Sequence, residues 1–575
     1  MTVPYTIQDF VTDEFYPGYV PAFGHGLANI DPIRPFRSSD ESGFWLAEGH
    51  WPRGITPLGY SCIEACAWGT QWAAQALSIP TGKGLAARMA ATHVYNSEVP
   101  VTSAWEQQSR AARAALTFPT RIAGFPEEWP RVRDQLLEWL ERLEQWDLDA
   151  ADLTEIREYY SEAVAIQTWA WEQHFLFMYP LLANYFGLRG LCEQFGIDTD
   201  LVPQFLRGYD TKILETDREL WKLAVAAREA GIAELFNENV TIAALRGESA
   251  AANWLTAFAD FLRAYGWRTE GMADPDLAPW TEDPTPALRV ISGFLTGEPQ
   301  DFDAIRSANE QDRNEAIAAA REQLTNEERA AFDASLAACH SANFSWWNEE
   351  HDFYIDLRVH VPLRRAALAL GRAVGAMEPD DPIYLFDSEI RAVLDGDVEY
   401  SQLAAQIPAR REHRALWASR RQDMPKVLGN MPEDVNDPVL KEIFGLGKGF
   451  FDNVRGAAGG DELKGVPASA GVSTGRARFI AHAEDLGDLR EGEILVCEFT
   501  SPNWTPAFTR IAGCVADQGG ALSHTAIVSR EYRVPCVTGV AVGTNTIRTG
   551  DLLEVDGTRG VVRILERAVT EDVPS

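Results

Sequence analysis

The sequence predicts a multidomain protein in which a large, mainly α-helical domain (residues 1–425) precedes a compact C-terminal β/β/α domain. Three observations predict it. Between about residues 61 and 425, apolar side chains recur at three- and four-residue spacing among charged ones, the period of a helix with one buried face. Around 426–463 that period gives way to proline and glycine; Pro432 to Pro438 and the run from Gly445 to Gly460 read as a linker carrying one short helix. From 464 to 568, short runs of aliphatic and β-branched residues alternate with turn residues, and 569–575 form a tail. A chain of 575 residues also exceeds what one hydrophobic core holds, so two or three domains are expected.

Residues 1 to about 60 are rich in Pro, Gly and aromatic residues without clear periodicity, and are expected to be irregular but packed. The helical pattern is plain at Leu136, Leu137, Trp139, Leu140, Leu143 and Trp146. Similar stripes run through 153–187, 210–230, 249–265, 311–338 and 345–376, broken by clusters such as Asp274 to Pro284. There is no fixed-period repeat and no low-complexity tract. In the C-terminal part, strands are expected at 475–480, 493–498, 513–517, 535–540, 552–556 and 560–565, with Asp556-Gly557 as a hairpin turn.

A formal charge of −34 and a pI near 4.7 argue against a nucleic-acid or anionic-membrane surface and agree with a soluble, acidic exterior. The seven cysteines are scattered; Cys62 and Cys66 lie one helical turn apart, but no second pair completes a zinc site, and no metal is expected. They read as buried thiols in a reducing compartment. The start, MTVPYTIQDF, lacks a basic stretch followed by an apolar one, so no signal peptide is expected. No apolar run approaches the roughly 20 residues that span a bilayer. A cytoplasmic location follows as the expectation.

The chemistry is concentrated in one string, Gly519-Gly520-Ala-Leu-Ser523-His524-Thr525-Ala-Ile-Val-Ser-Arg530. Gly519 and Gly520 allow a tight or left-handed turn. The apolar residues Ala526, Ile527 and Val528 predict a short amphipathic helix from His524 to Tyr532, and Val534-Pro535 ends it. His524 then sits in a first helical turn, where unbonded N–H groups and the positive dipole end converge. Such a site favours a neutral, nucleophilic imidazole and would hold a phosphoryl group formed on it. Ser523 and Thr525 add hydroxyls on either side. The plainer reading is a histidine near the start of an ordinary helix.

This string resembles the phosphohistidine swivelling domain of the phosphoenolpyruvate-utilising enzymes. That group includes phosphoenolpyruvate synthase, pyruvate phosphate dikinase, enzyme I of the sugar phosphotransferase system, rifampin phosphotransferase and phenylphosphate synthase. The resemblance covers about 460–567 and makes His524 the phosphorylated histidine, supported by Gly519, Gly520, Ser523, Thr525 and Arg530. Leu522 stands where the family often has Ser, Thr or Asn; the rifampin phosphotransferase branch also carries leucine there. It implies a carrier that moves phosphate between two distant sites on a flexible linker.

The expected acceptor region is the helical domain, which holds 17 of the 18 tryptophans, all but Trp504. One stretch, with Trp169, Trp171, His174, Phe175, Phe177, Met178 and Tyr179, is aromatic almost all round, so it either lines a cavity or fills a core. A second stretch places Trp347, His351, Tyr354 and Arg358 along one helical stripe, either as a base, a phenol and a guanidinium near an acceptor or as a structural polar network. Glu350 and His351 are adjacent and so point apart on a helix, against metal binding. Two further segments resemble the rifampin phosphotransferase substrate domain: Thr56-Pro57-Leu58, and Tyr265-Gly266-Trp-Arg268 followed by Pro279-Trp280-Thr-Glu282-Asp-Pro284. Arg268 either reaches a phosphate or pairs with Glu270 or Glu282.

A dikinase of this family charges its histidine from an ATP-grasp module. These residues show no glycine-rich nucleotide loop, and no phosphoenolpyruvate-binding barrel. The expectation is a split enzyme: ATP and Mg2+ on a separate ATP-grasp subunit, and His524 passing the phosphoryl group to a phenolic hydroxyl, as the resemblance to phenylphosphate synthase implies. Two alternatives stay open, a rifamycin-like antibiotic as acceptor and a non-catalytic phosphocarrier that binds a partner protein.

Overall fold

The computed structural model describes residues 5–20, 33–237, 240–297, 300–433, 435, 438–456 and 460–568. Two compact units emerge: one of residues 1–184, 271–278 and 354–432, the other of 185–270, 279–353 and 433–575. The expected linker thus begins in the first unit and ends in the second.

The first unit combines long helices with a β-sheet that helical periodicity did not predict. Gly82–Ala90 and His93–Pro100 pair as an antiparallel hairpin and form the centre of a five-stranded sheet with Arg34–Pro35, Phe44–Ala47 and Val427–Gly429. The hairpin turns in two residues, with Ala91 in the left-handed region at φ 52°. Its first strand reads as a helix by composition, because Ala, Leu, Arg and Met are good helix formers. Burial decides otherwise: Ala86, Ala90 and Tyr95 pack with Phe10, Phe36, Trp45 and Leu428. The expected helix around 136–146 is the end of Ala104–Glu144. Thr56 caps Pro57–Ala76 by accepting a hydrogen bond from the Gly59 amide at 3.0 Å, with Pro57 in the first turn.

In the second unit, helices Lys212–Glu229, Ala252–Tyr265 and Thr285–Thr296 enclose Leu220, Trp254, Phe258, Phe261, Trp280 and Ile291. The predicted stripe 311–338 is two helices, Phe302–Glu322 and Asn326–Ser341. Thr325 starts the second through a reciprocal capping box with Glu328. The predicted stripe 345–376 is likewise interrupted. Phe344–His351 is α-helical, Asp352–Asp356 is a π turn, and a new helix, Val361–Val374, which belongs to the first unit, opens with Pro362 in its first turn.

The C-terminal strands fall where the turn spacing puts them: Val472–Phe479, Ile494–Cys497, Gly513–Ala516, Cys536–Thr538, Leu552–Asp556 and Val561–Glu566. Two more, Glu462–Lys464 and Val466–Ser469, complete an eight-stranded sheet. Its four central strands, from Val472–Phe479 to Cys536–Thr538, run parallel, and antiparallel strands flank them. The hairpin at Asp556-Gly557 forms, closed by Gly560 at φ 66°. The fold class is therefore as expected: a mainly helical region and a C-terminal β-sheet domain with its short helix. All seven cysteines are free thiols, and only Cys66 is not buried. Among the described residues no helix is long and apolar enough to cross a membrane.

Candidate functional site

The parallel strand Gly513–Ala516 runs into the glycine turn, and the turn delivers His524 as the first residue of helix His524–Glu531. Gly519 has φ 118°, which a side chain would strain. A Cβ on Gly520 would lie 2.3 Å from the Glu442 carbonyl oxygen, so only glycine fits there. Ser523 is the N-cap: its hydroxyl accepts from the Ala526 amide at 3.4 Å and donates to the Gly520 carbonyl at 2.9 Å.

The His524 ring is 4% exposed. Its Nδ1 lies 3.1 Å from the Thr500 hydroxyl, which in turn lies 2.7 Å from the Thr525 hydroxyl. Its Nε2 faces Glu349 of helix Phe344–His351, with the nearer carboxylate oxygen 3.6 Å away. Glu349 is 2% exposed, and its second oxygen has no hydrogen-bond partner. Burial, with the carboxylates of Glu531 and Asp217 nearby, holds its carboxyl well above the usual carboxylate range despite Asn348 and Arg530.

The far end of the His524 helix is tied to the helical region of the same unit. The Glu531 carboxylate accepts from the Gly208 amide at 2.9 Å and from the Asn309 amide group at 3.1 Å, and the Asn309 group also donates to the Glu531 carbonyl at 2.7 Å. The Tyr532 hydroxyl donates to Asp217 at 2.7 Å, and burial pushes the Asp217 carboxyl up to about 7. Beyond Asp217 lies Arg268, 2% exposed, its guanidinium 4.3 Å from the Trp280 ring centre and 5.9 Å from that of Phe353. Burial pulls it down to about 10, and two of its nitrogens have no hydrogen-bond partner.

Two matches to known families meet at this contact. Residues 489–560 match the model of the PEP-utilising enzyme mobile domain. This segment is similar to the mobile domain of PEP-utilising enzymes. Residues 173–349 match the rifampicin phosphotransferase fourth domain, a segment that ends on Glu349. Among curated relatives, the chain is 30% identical over 545 residues to chondramide synthase cmdD of Chondromyces crocatus, covering 90% of this chain and 14% of that one. It is 26% identical over 425 residues to the uncharacterized phosphotransferase YvkC of Bacillus subtilis strain 168, covering 72% and 49%. It is 31% identical over 319 residues to the rifampicin phosphotransferase of the same organism, covering 54% and 34%. The chain thus spans about half or less of the length of these relatives.

Within the mobile domain the predicted residues Gly519, Gly520, Ser523, His524 and Thr525 gather as described. Arg530 is different in detail: its guanidinium donates to the Ala468 and Ala521 carbonyls at 2.8 and 2.7 Å, so it braces the glycine turn from behind. In the helical region of the second unit, the Trp347 and His351 rings meet at a tilt of 49° with ring centres 4.2 Å apart. Tyr354 and Arg358 belong to the first unit, where Arg358 pairs with Glu144 at 2.6 Å. Also in the first unit, His174 lies 3.5 Å from Asp356, the Phe175 ring packs against it at a tilt, and Trp169 meets Trp139 edge-on. Phe177 packs on Phe125 and Trp129, which is core packing.

Sequence reasoning missed Glu349, Thr500, Asp217 and Tyr532. Glu349 stands in the quoted Trp-Trp-Asn-Glu-Glu-His run, but no local pattern ties it to a histidine in another domain. Two cavities adjoin these elements. One, of about 10 Å³, is lined by Leu206, Tyr209, Trp346, Glu349, Ile527 and Val528, enough for a single water. The other is a groove of about 1170 Å³ with Phe236, Trp280, Arg289, Phe294, Asn503 and Arg510 among its walls.

Proposed function

We propose that this chain is the carrier and acceptor part of an ATP-dependent dikinase-type phosphotransferase. His524 takes a phosphoryl group derived from ATP, held with Mg2+ on a separate ATP-grasp subunit, and passes it to the hydroxyl of a phenolic acceptor. The balance is ATP, acceptor hydroxyl and water giving AMP, inorganic phosphate and acceptor phosphate. The observation that carries this reading is the two-sided setting of one ring. Nδ1 is held by the Thr500 hydroxyl, and Nε2 points at the helical segment that resembles the rifampicin phosphotransferase domain. A histidine whose one nitrogen is fixed presents the other as nucleophile and then as leaving group.

A phenol suits the apolar lining of Leu206, Tyr209, Trp346 and Ile527 beside Glu349, and it ionises near pH 10, within reach of activation by a base. The cavity holds only a water as it stands, so acceptor binding requires the mobile domain to part from the helices. A second reading, a bulky hydroxylated antibiotic, is favoured by the larger groove and by the relatives named rifampicin phosphotransferase.

The test combines the chain, a stand-alone ATP-grasp protein, Mg-ATP and a panel of phenols plus rifampicin, with AMP and acceptor phosphate measured together. Equal amounts of both are expected, and His524→Ala abolishes both. AMP formed with no acceptor consumed would leave only a phosphocarrier.

A further inference from the structure

We infer that Glu349 is a catalytic residue of the discharge step, relaying a proton from the acceptor hydroxyl to His524 Nε2. The inference rests on the reading of His524 as the phosphoryl carrier and adds the group that completes its chemistry. The geometry is direct. Glu349 is the carboxylate facing Nε2, at 3.6 Å, and its other oxygen is buried without a hydrogen-bond partner, an uncommon and costly state for such an atom. A structural glutamate would use both oxygens, as Glu531 does with Gly208 and Asn309 two turns away. Among the described residues Glu349 has, apart from His524, only the neighbouring Asn348 side chain beside its carboxylate, and one oxygen is left without a hydrogen bond.

The step balances as follows. The acceptor O–H bond breaks and its proton goes to the Glu349 carboxylate. The acceptor oxygen bonds to phosphorus while the phosphorus–Nε2 bond breaks, its electron pair returning to the ring. When Nδ1 of the phosphorylated ring carries no proton, a ring leaving without one at Nε2 would be a high-energy imidazolate. Glu349, now a carboxylic acid that faces Nε2 from 3.6 Å in the resting structure, closes on the ring, gives the proton to Nε2 and ends as it began. The contact in the structure is that of the unphosphorylated ring with Glu349, at 3.6 Å.

The groups around Glu349 tune it. His524, Arg530 and Glu531 face it from the His524 helix, Asp217 from Lys212–Glu229, and Asn348, Glu350 and His351 neighbour it on its own helix. Burial and the two other carboxylates raise its proton affinity more than Arg530 lowers it, which suits a base working near neutral pH.

The experiment separates loading from discharge. The full chain is treated with phosphoramidate, a small phosphoryl donor that needs no partner, and the phosphohistidine is followed by 31P NMR, with His524→Ala as the blank. Phenol is then added to wild type, Glu349→Gln and Glu349→Asp. The extent of loading is measured in all three, and discharge is compared per loaded His524. Discharge is expected to slow on the order of 100-fold in Glu349→Gln, the range of general acid–base catalysis, and to recover in part in Glu349→Asp. The wild-type discharge rate rises with pH and levels off once Glu349 is ionised, whereas the Gln variant stays flat. Discharge of Glu349→Gln at the wild-type rate overturns the inference, as does an equal loss of loading and discharge. Failure of wild type to load at His524 overturns the carrier reading itself. If wild type loads but phosphorylates no phenol, the phenolic acceptor is wrong, and discharge to water in the same three proteins decides on Glu349.

Discussion

Thr500 shows how one hydroxyl decides what a histidine does. It bonds both His524 Nδ1 and Thr525, so a valine in its place leaves two buried polar atoms without their partner. Each costs about 1–3 kcal/mol, and the ring loses the group that fixes its tautomer. Thr500→Val is expected to slow phosphoramidate loading of His524 about tenfold and to broaden or shift the His524 imidazole NMR signals. Unchanged loading would mean that Nε2 needs no such preparation. Asp217 gives a second prediction, with its sign fixed by burial. Its carboxyl titrates near 7 in the folded protein against about 4 in an unfolded chain, so folding holds the proton more tightly. That stabilisation is complete below pH 4 and is lost as pH rises towards 7. Thermal melts of wild type should therefore weaken between pH 5 and pH 8, and Asp217→Asn, which keeps a neutral partner for Tyr532, should flatten the trend. Equal slopes in the two proteins would place the ionised carboxylate in the fold.

At the level of elements, the His524 helix depends on a close approach that no side chain tolerates. Gly520→Ala puts a methyl 2.3 Å from a main-chain oxygen at Glu442, where neither partner is the end of a flexible side chain. A destabilisation of about 1–3 kcal/mol is expected, read as a lower melting temperature with loading impaired in proportion. A wild-type melting temperature would mean the turn relaxes. This helix and the strands around it were legible in the sequence because their signals are local: glycines, an N-cap serine, a proline stop and turn residues between aliphatic runs. The hairpin Gly82–Pro100 was not, because its first strand carries helix-forming residues and only packing against Phe36 and Trp45 selects a strand. The break after His351 was half legible, since Pro362 marks a new helix but nothing marks the π turn before it. Glu349 lay outside what spacing can reveal, because its meaning comes from a tertiary contact with His524.

For the molecule as a whole, the burial of His524 sets a requirement. A ring 4% exposed cannot meet a nucleotide on another subunit, so under the proposed function residues 464–568 must leave the helices of their own unit to be loaded. Among the contacts that hold them docked are those at the end of the His524 helix, Glu531 on Gly208 and Asn309, Tyr532 on Asp217, and Arg533 on Asp312 at 3.2 Å, together with Asn503 donating to the Thr269 carbonyl and Arg289 to the Glu484 carbonyl. Tyr532 also packs against the hydrophobic cores on both sides. Tyr532→Phe keeps that packing and removes only the hydroxyl on Asp217, a loss of about 1 kcal/mol, which shifts a docked–undocked equilibrium roughly five- to tenfold. If docking gates access, Tyr532→Phe loads faster with phosphoramidate by that factor while discharging to acceptor more slowly, because the productive contact with Glu349 is less populated. Asn309→Ala should act in the same direction by a separate contact. Loading and discharge that both stay at wild-type rates would mean the ring is reached without undocking, and the carrier would not need to swing at all.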